Sequence, residues 1–403
     1  MKKISAAIFG STGSIGRAAV DVISHLSERF RVVAIAAHQG VEEICNQALR
    51  LKPKLVILTD PNAADVCQRR LGRGFKVLAG MEALLVTAEC DEVKVLIMGM
   101  SGTAGVAALL KALRAGKRVA LATKEILVSY GEVVMKALRR YHGMILPIDS
   151  ELCALHQCLD GRDSATVRNL ILTASGGPFW RKGLPADARI SEVLTHPTWK
   201  MGRKITVDSA SLMNKGLEVI ETVRLFGVKP EQVKIVIHPE SIIHSMVEFK
   251  DGSILAQMAS PDMRLPIQYC LTYPERLHSL VPPLSFEKIE HLRFYPVDLK
   301  RFPCLRLAYQ ALAAGPGACC VLNAANEIAV ASFLNQRIAF GKIPVIIAKT
   351  LNEYLRRKRV RVLTLAGLRK IEAWAKRQAE VEVCPKRPKG ISRQARNDRK
   401  SRG

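Results

Sequence analysis

Two carboxylates, Asp149 and Glu151, flank Ser150 at the end of the apolar run Met144–Ile148. If that run is a buried strand, both acids stand at its carboxyl edge, where open α/β sheets bind ligands in a crevice. Ser150 can equally cap a helix over Leu152–Leu159, with the acids simply suiting the positive end of its dipole. Further on, Asn214, Lys215 and Glu218 fall at i, i+1 and i+4, so a helix starting near Leu212 presents all three on one face. An amide, an ammonium and a carboxylate together suit a polar, phosphorylated, metal-bound substrate; the bland alternative is a surface Lys–Glu pair. Asp149, Glu151 and Glu218, completed by substrate oxygens and water, make a site for a hard cation such as Mg²⁺ or Mn²⁺.

Between these groups lie Ser175-Gly176-Gly177-Pro178-Phe179, a small-residue anion loop after a strand, and His196–Lys204, whose His, Trp and Met among Gly and Pro suit a lid that excludes water. The run His238–Ser245 has the content of a metal motif. Its histidines are six apart, which puts them on opposite faces, so the reading there is structural.

A second chemistry opens the chain. Gly10-Ser11-Thr12-Gly13-Ser14-Ile15-Gly16 follows the strand-like Ile4–Phe9 and starts a helix. Glycines three apart permit a tight turn, close approach to a pyrophosphate and tight helix–strand packing, with phosphates on the free N–H groups of the helix start. NAD binders usually place an acid at the end of the second strand. Here His38-Gln39-Gly40 offers none, which leaves room for a 2′-phosphate and favours NADP, though without the expected arginine or lysine.

The elements that must position these groups follow from periodicity. Ile4–Phe9, Arg31–Ala36, Leu55–Leu58, Val95–Met98 and Val119–Ala122 are apolar runs without alternation, interleaved with helical stretches such as Ser14–Leu26, Val41–Leu51 and Ala104–Ala115. That pattern predicts an α/β fold, an N-terminal doubly wound Rossmann-type parallel sheet over residues 1–140. From Met144 the strand-like runs Asn169–Thr173, Val233–Ile237 and Ser253–Gln257 are separated by long polar segments, so residues 141–270 read as a central α+β catalytic domain. Prolines crowd residues 271–302, a connector. Residues 303–382 carry helical spacing in Leu305–Ala313, Val321–Leu334 and Ile343–Tyr354, a small helical bundle, and 383–403 form a disordered tail.

Composition narrows the class. With 48% hydrophobic residues the 403-residue chain can bury sizeable cores. Uninterrupted apolar stretches are far shorter than the roughly 20 residues of a membrane span, and Met1–Ile4 leaves no room for a signal peptide before the first strand. A cytoplasmic protein without membrane contact is expected. The ten cysteines include no Cys-x-x-Cys pair and read as buried small hydrophobes. Of the net charge of +25, residues Lys386–Gly403 carry +7, and Arg356–Arg361 form a second basic cluster. This basic tail could touch nucleic acid or acidic partners non-specifically, but no aromatic interleaving or recognition helix accompanies it.

The ordered motifs GSTGSIG (Gly10–Gly16), KE (Lys124-Glu125), LPIDSE (Leu146–Glu151), SGGPF (Ser175–Phe179), HPTWKMGRKITVDSA (His196–Ala210), MNKGLE (Met213–Glu218), HPESIIHSMV (His238–Val247) and PDMRLPI (Pro261–Ile267) resemble those of the 1-deoxy-D-xylulose 5-phosphate reductoisomerase family. The resemblance runs from Lys3 to about Glu380. It implies that Asp149, Glu151 and Glu218 bind Mn²⁺ or Mg²⁺, with Co²⁺ an option. It further implies that Ser150, Glu151, Lys124, His196 and Asn214 contact the substrate's hydroxyls and carbonyl, and that Ser175, Ser209, Asn214 and Lys215 hold its phosphate. Thr12, Gly13, Ser14, Ile15, Glu125 and Gly202 would touch NADPH, with Trp199 closing over the site. The implied reaction rearranges 1-deoxy-D-xylulose 5-phosphate and reduces the product to 2-C-methyl-D-erythritol 4-phosphate, in the non-mevalonate route to isoprenoid precursors; a homodimer is implied as well. Two cofactor positions depart from the family's pattern: Thr123 stands where Asn is usual, and His38-Gln39-Gly40 replaces a segment that usually offers Gly or Asn with Lys, Arg or Ser. The alternatives are another NADP- and metal-dependent reductase without skeletal rearrangement, such as one like homoserine dehydrogenase, and, from a different class, a basic RNA-associating protein on a Rossmann scaffold.

Overall fold

The computed structural model describes residues 3–199, 201–357 and 364–384. The basic tail Lys386–Gly403, most of the Arg356–Arg361 cluster and Lys200 of the proposed lid lie outside the described residues.

Seven parallel strands form the first sheet: β1 (Ile4–Phe9), β2 (Phe30–Ala37), β3 (Leu55–Leu58), β4 (Lys76–Ala79), β5 (Val95–Met98), β6 (Arg118–Leu121) and β7 (Met144–Pro147), in the order β4-β3-β2-β1-β5-β6-β7. Helices cover both faces, which is why Ala6 to Phe9 and Leu96 to Met98 are wholly buried and read as continuous apolar runs. Strand order reverses between β1 and β5, and that switch point opens the crevice at the carboxyl ends.

The second sheet contains β8 (Val167–Ala174), β9 (Val233–Ile237), β10 (Ile243–Phe249), β11 (Ile254–Met258) and β12 (Tyr295–Pro296), in the order β11-β10-β8-β9-β12. Only β8 and β9 run parallel; the other pairs are antiparallel. Helices Pro303–Ala314, Pro316–Leu334, Lys342–Arg356 and Leu365–Val383 close the fold. Among the described residues, Pro316–Leu334 has the length and composition to cross a membrane. It is 72% buried in protein and interrupted by Asn323, Asn326 and Glu327, as befits a core helix.

Several boundaries differ from the sequence reading. The parallel sheet does not stop at residue 140: β7 pairs with β6 from Arg118↔Met144 to Leu121↔Pro147. Residues 271–302 are not merely a connector, because Tyr295–Pro296 adds a strand beside β9. Helix Arg264–Thr272 packs its Ile267, Cys270 and Leu271 into the first sheet's core, with Ala120 and Leu146. The C-terminal helices form the expected small bundle, and it packs on the second sheet: Val321 and Phe333 share one core with Leu170 and Leu172 of β8. Strand β4 and helices Pro61–Leu71 and Gly80–Glu89 escaped periodicity analysis. β4 is a short edge strand of half-exposed residues starting with Lys76, so no apolar run marks it.

A half-buried polar latch ties the last helix to the loop after β5 and the helix after β6. Glu372 accepts hydrogen bonds from Thr103 Oγ1 (2.7 Å) and the Tyr130 hydroxyl, and pairs with Lys376 at 2.8 Å. Against the burial that would raise it, the bonds from Lys376, Tyr130 and Thr103 hold the Glu372 carboxyl below its usual range. Burial, with that carboxylate beside it, pushes the Tyr130 phenol up. Glu372→Ala orphans the Tyr130 hydroxyl and should cost about 2–3 kcal/mol of stability. Denaturant titration checks this, and an unchanged midpoint would show the latch to be idle.

Candidate active site

Three segments converge at the carboxyl edge of the first sheet. Lys124 starts the helix Lys124–Tyr141 after β6, and Asp149, Ser150 and Glu151 start the helix Ser150–Leu159 after β7. Asn214, Lys215 and Glu218 come from the helix Met213–Phe226, so the conditional helix from Leu212 is formed. A tight turn feeds it: Leu212 adopts φ +55°, a left-handed conformation costly for a side chain with Cβ, and the chain reverses within Ser211-Leu212.

Ligand oxygens of Asp149, Glu151 and Glu218 lie within 4.8 Å of one another. Glu218 is fully buried, and an ammonium group meets each of its oxygens: Lys124 Nζ at 2.9 Å from Oε1, and Lys215 Nζ on Oε2. Lys124 also pairs with Asp149 and donates to Asn214 Oδ1 (2.9 Å), while Lys215 reaches Glu151 Oε1 at 2.8 Å. Burial and the Glu218 and Glu151 carboxylates push Asp149 up to about 7, against the pull of Lys124. Burial would also raise Glu151, but the Lys215 and Lys124 ammonium groups bring it down to about 2. Despite their own burial, both lysines are held above the ordinary lysine range by these carboxylates. Glu221, one turn beyond Glu218, is pushed well above the carboxylate range by burial and by Asp149.

The donor set fits a divalent cation. Three carboxylates from two elements converge, and Asp149 Oδ2, though beside the Lys124 ammonium, accepts no aligned hydrogen bond. Hard oxygen donors at this spacing suit Mg²⁺ or Mn²⁺ over soft metals.

A cleft of about 480 Å³ opens from this cluster. It is lined by Lys124, Asp149, Ser150, Glu151, Asn214 and Lys215, and by Ser175, His196, Trp199 and Ser209. Ser14, Ile15 and Gly202 reach it from the dinucleotide side. Beyond them the glycine loop is tightly packed: a Cβ on Gly10 would lie 2.5 Å from Gly99 O, and one on Gly16 2.2 Å from Gly10 O. Thr12 packs against Gly40, whose Cβ would stand 3.1 Å from Thr12 Oγ1, bringing the glycine loop onto the His38–Gly40 turn.

Residues 6–131 match the 1-deoxy-D-xylulose 5-phosphate reductoisomerase family, residues 145–226 its C-terminal domain, and residues 258–378 the DXP reductoisomerase C-terminal domain. The protein so named from Protochlamydia amoebophila is 44% identical over 375 residues, covering 93% of this chain and 97% of its own length. That from Heliobacterium modesticaldum is 46% identical over 382 residues, 94% of this chain and 97% of its own. A crystal structure of DOX-P reductoisomerase with NADPH, fosmidomycin and magnesium superimposes with a TM-score of 0.89 at 38% identity, covering 94% of this chain and 98% of that one. The Zymomonas mobilis enzyme with NADPH gives 0.88 at 38% identity, covering 95% and 100%.

The chain belongs to the 1-deoxy-D-xylulose 5-phosphate reductoisomerase family.

In this reductoisomerase two expected cofactor contacts are otherwise engaged. The Thr123 hydroxyl is buried and donates to Met100 O. Glu125 pairs with Lys204 (2.8 Å), which also meets Asp208 at 2.7 Å, and Asn326 donates to Asp208 Oδ1 at 2.9 Å. That chain of charges anchors the end of the lid segment to the core. Sequence reasoning missed His244 and Ser241, which line the cleft. His238 is structural as expected: buried, it donates from Nδ1 to Arg293 O and accepts the Ile242 and Ile243 N–H groups at Nε2. His244 lies in β10 and faces Trp199, ring centroids 6.1 Å apart. Alternation along β10 was the available clue, hidden by treating the two histidines as one motif.

His196 has a defined tautomer. Its Nδ1 accepts from Thr198 N (3.2 Å) and Trp199 N (2.9 Å), so the neutral ring carries hydrogen on Nε2, which donates to Ser175 Oγ at 2.9 Å. Burial lowers its pKa to about 4 from 6.5. Between those values the unfolded chain takes up a proton that the folded one refuses, so stability falls as pH drops through that window, with no contribution above 6.5. His196→Gln should therefore show a shallower loss of denaturant midpoint between pH 6.5 and 4. An unchanged slope would mean that His196 titrates as a free imidazole.

Proposed function

We propose that the chain converts 1-deoxy-D-xylulose 5-phosphate to 2-C-methyl-D-erythritol 4-phosphate, rearranging the carbon skeleton and reducing the resulting aldehyde with NADPH. The carrying observation is the carboxylate triad, Asp149, Glu151 and Glu218, in a cleft whose other end is the glycine loop of a dinucleotide fold. Membership of the family supports this reading over a reductase of another substrate.

Bound in this cleft, a divalent ion supplies Lewis-acid polarisation of the substrate's carbonyl, and NADPH supplies the hydride. Asp149, Glu151 and Glu218 hold the ion. Lys124 stays charged beside it and adds positive potential where negative charge develops on substrate oxygen. Ser150, Glu151 and Asn214 orient hydroxyls, and His196 donates through Nε2–H. Ser175, Ser209, Asn214 and Lys215 grip the phosphate at the far side of the cluster. Gly176 and Gly177, at φ +87° and +63°, let the Ser175 loop cross the end of helix Arg203–Ala210, where a Cβ on Gly177 would lie 2.9 Å from Ser209 O. That crossing brings Ser175 and Ser209 to one side of the cleft. Trp199 and His244 wall it against water.

The same reading places the protein in the cytoplasm, in keeping with ten free thiols. It also makes the protein a homodimer. Among the described residues β11 is an open edge of the second sheet, exposing Ile254 (52%) and Leu255 (37%), and unpaired edge strands pair readily with a second copy. Ile254→Lys should give monomers by light scattering; a persisting dimer would place the interface elsewhere.

The decisive assay is NADPH oxidation with 1-deoxy-D-xylulose 5-phosphate, with and without Mn²⁺ or Mg²⁺. Oxidation should require the metal, and Glu218→Gln should cut turnover at least about a hundredfold, removing roughly 2.7 kcal/mol of transition-state stabilisation. Metal-independent oxidation, or near-normal turnover of that variant at limiting metal, would take Glu218 out of the triad.

A further inference from the structure

A cofactor carrying a 2′-phosphate needs a cation beside its adenosine ribose, and an arginine nearby commonly supplies it. The turn after β2 holds no lysine or arginine. What it holds is a small polar network of the opposite sign. His38 Nδ1 and Thr59 Oγ1 share a hydrogen bond at 2.8 Å, and Gln39 Nε2 donates to Asp60 Oδ2 at 2.7 Å. Asp60 Oδ1 accepts the Ala63 N–H (3.0 Å) as the cap of helix Pro61–Leu71. The Gln39 amide and the cap bond hold Asp60 below the usual carboxylate range, so a full negative charge stands beside the turn.

A cation stands at the glycine loop. Arg17, in the opening turns of helix Ser14–His25, folds back so that Nη1 donates to the carbonyl of Thr12. The Thr12 side chain is the group against which Gly40 is packed, with a Gly40 Cβ 3.1 Å from Thr12 Oγ1 and 3.2 Å from Thr12 Cβ. The guanidinium is thus tied to Thr12, the residue whose side chain packs against the His38–Gly40 turn. It has no carboxylate partner among the described residues, so its remaining N–H donors are free for an anion. On the loop's other side Gln47 Nε2 already fills the Ser11 carbonyl, at 2.9 Å.

We infer that Arg17 clamps the 2′-phosphate and sets the preference for NADPH over NADH. The inference rests on NADPH being the cofactor. It supplies from helix Ser14–His25 the charge that the β2 turn lacks.

Calorimetric titration of the full chain with adenosine 2′,5′-bisphosphate and with 5′-AMP isolates the 2′-phosphate from the reaction. The unaltered chain should bind the bisphosphate at least about tenfold more tightly than 5′-AMP, as one charge-assisted contact of 1.4 kcal/mol would give. Arg17→Ala should abolish that difference and leave 5′-AMP affinity within about twofold, and Arg17→Lys should restore part of it. In turnover, Arg17→Ala should raise KM for NADPH with kcat unchanged and leave NADH kinetics alone. Equal loss of both probes would show that Arg17 only shapes the Thr12 loop, and no loss of either would remove it from the site; both overturn the inference. Failure of the catalytic reading shows itself separately, as a chain that discriminates between the probes yet oxidises no NADPH.

Discussion

Glu218 is a carboxylate with no access to water, and the rest of the site follows from the need to keep it ionised. An isolated buried carboxylate costs several kcal/mol, and only close opposite charge with satisfied hydrogen bonds offsets it. Lys124, Lys215 and Asn214 meet that need, and each comes with its own geometric demand. Lys124 must arrive from the end of β6, and Lys215 must share a helix with Glu218. Asp149 and Glu151 must then stand opposite, from the end of β7, to share the two ammonium groups. The scaffold is accordingly tight behind the helix Met213–Phe226. A Cβ on Gly216 would lie 2.7 Å from the Ala308 Cβ, so only glycine lets helix Pro303–Ala314 back it this closely.

That constraint explains why the chain needs two sheets rather than one. The parallel sheet alone brings the glycine loop, Lys124, Asp149 and Glu151 to one edge, but supplies no anion loop and no opposing wall. Ser175 follows β8 directly and β10 carries His244, so the second sheet closes the crevice from the far side. The C-terminal helices hold the two together: Val321 and Phe333 join the second sheet's core, while Cys320 and Leu368 join the first sheet's. Neighbouring residues Cys320 and Val321 thus serve different cores, and helix Pro316–Leu334 is buried nearly all round. Its apolar length is a consequence of that position.

How much of this is legible in the sequence depends on the kind of signal. β1, helix Val41–Leu51 and β9 begin and end where their apolar patterns place them, unbroken in the doubly covered β1 and one-sided in the helix. Asp149 and Glu151 are legible because they stand two apart at a strand end, and Glu218 because it shares a helix face with Asn214 and Lys215. The pairing of Lys124 with Glu218 joins residues 94 positions apart, and no local pattern encodes it. Likewise β7 sits beside prolines and polar loops that suggest a new domain, yet its partner is β6 and its place is set by sheet completion. His244 was hidden because a strand register, not a motif, decides which side chains face the cleft. Arg17 was passed over for the same reason. The cation was sought in the segment after β2, while the one inferred here lies in the helix that the glycine loop opens.

Net charge deserves to be read in the same light. A chain of +25 invites an electrostatic account of partners, but the cations that matter here are among the least accessible. Lys124 and Lys215 are 4% and 3% exposed and are bound up with three carboxylates, leaving the five groups one unit negative when all are ionised. A divalent ion reverses that sign, which suits a cleft meant for a phosphorylated substrate. Exposed lysines and arginines far from the cleft are screened beyond about 8–10 Å at physiological salt and cannot tune that balance. Chemistry in this protein depends on a few buried charges whose number is nearly balanced, and total charge carries almost no information about them.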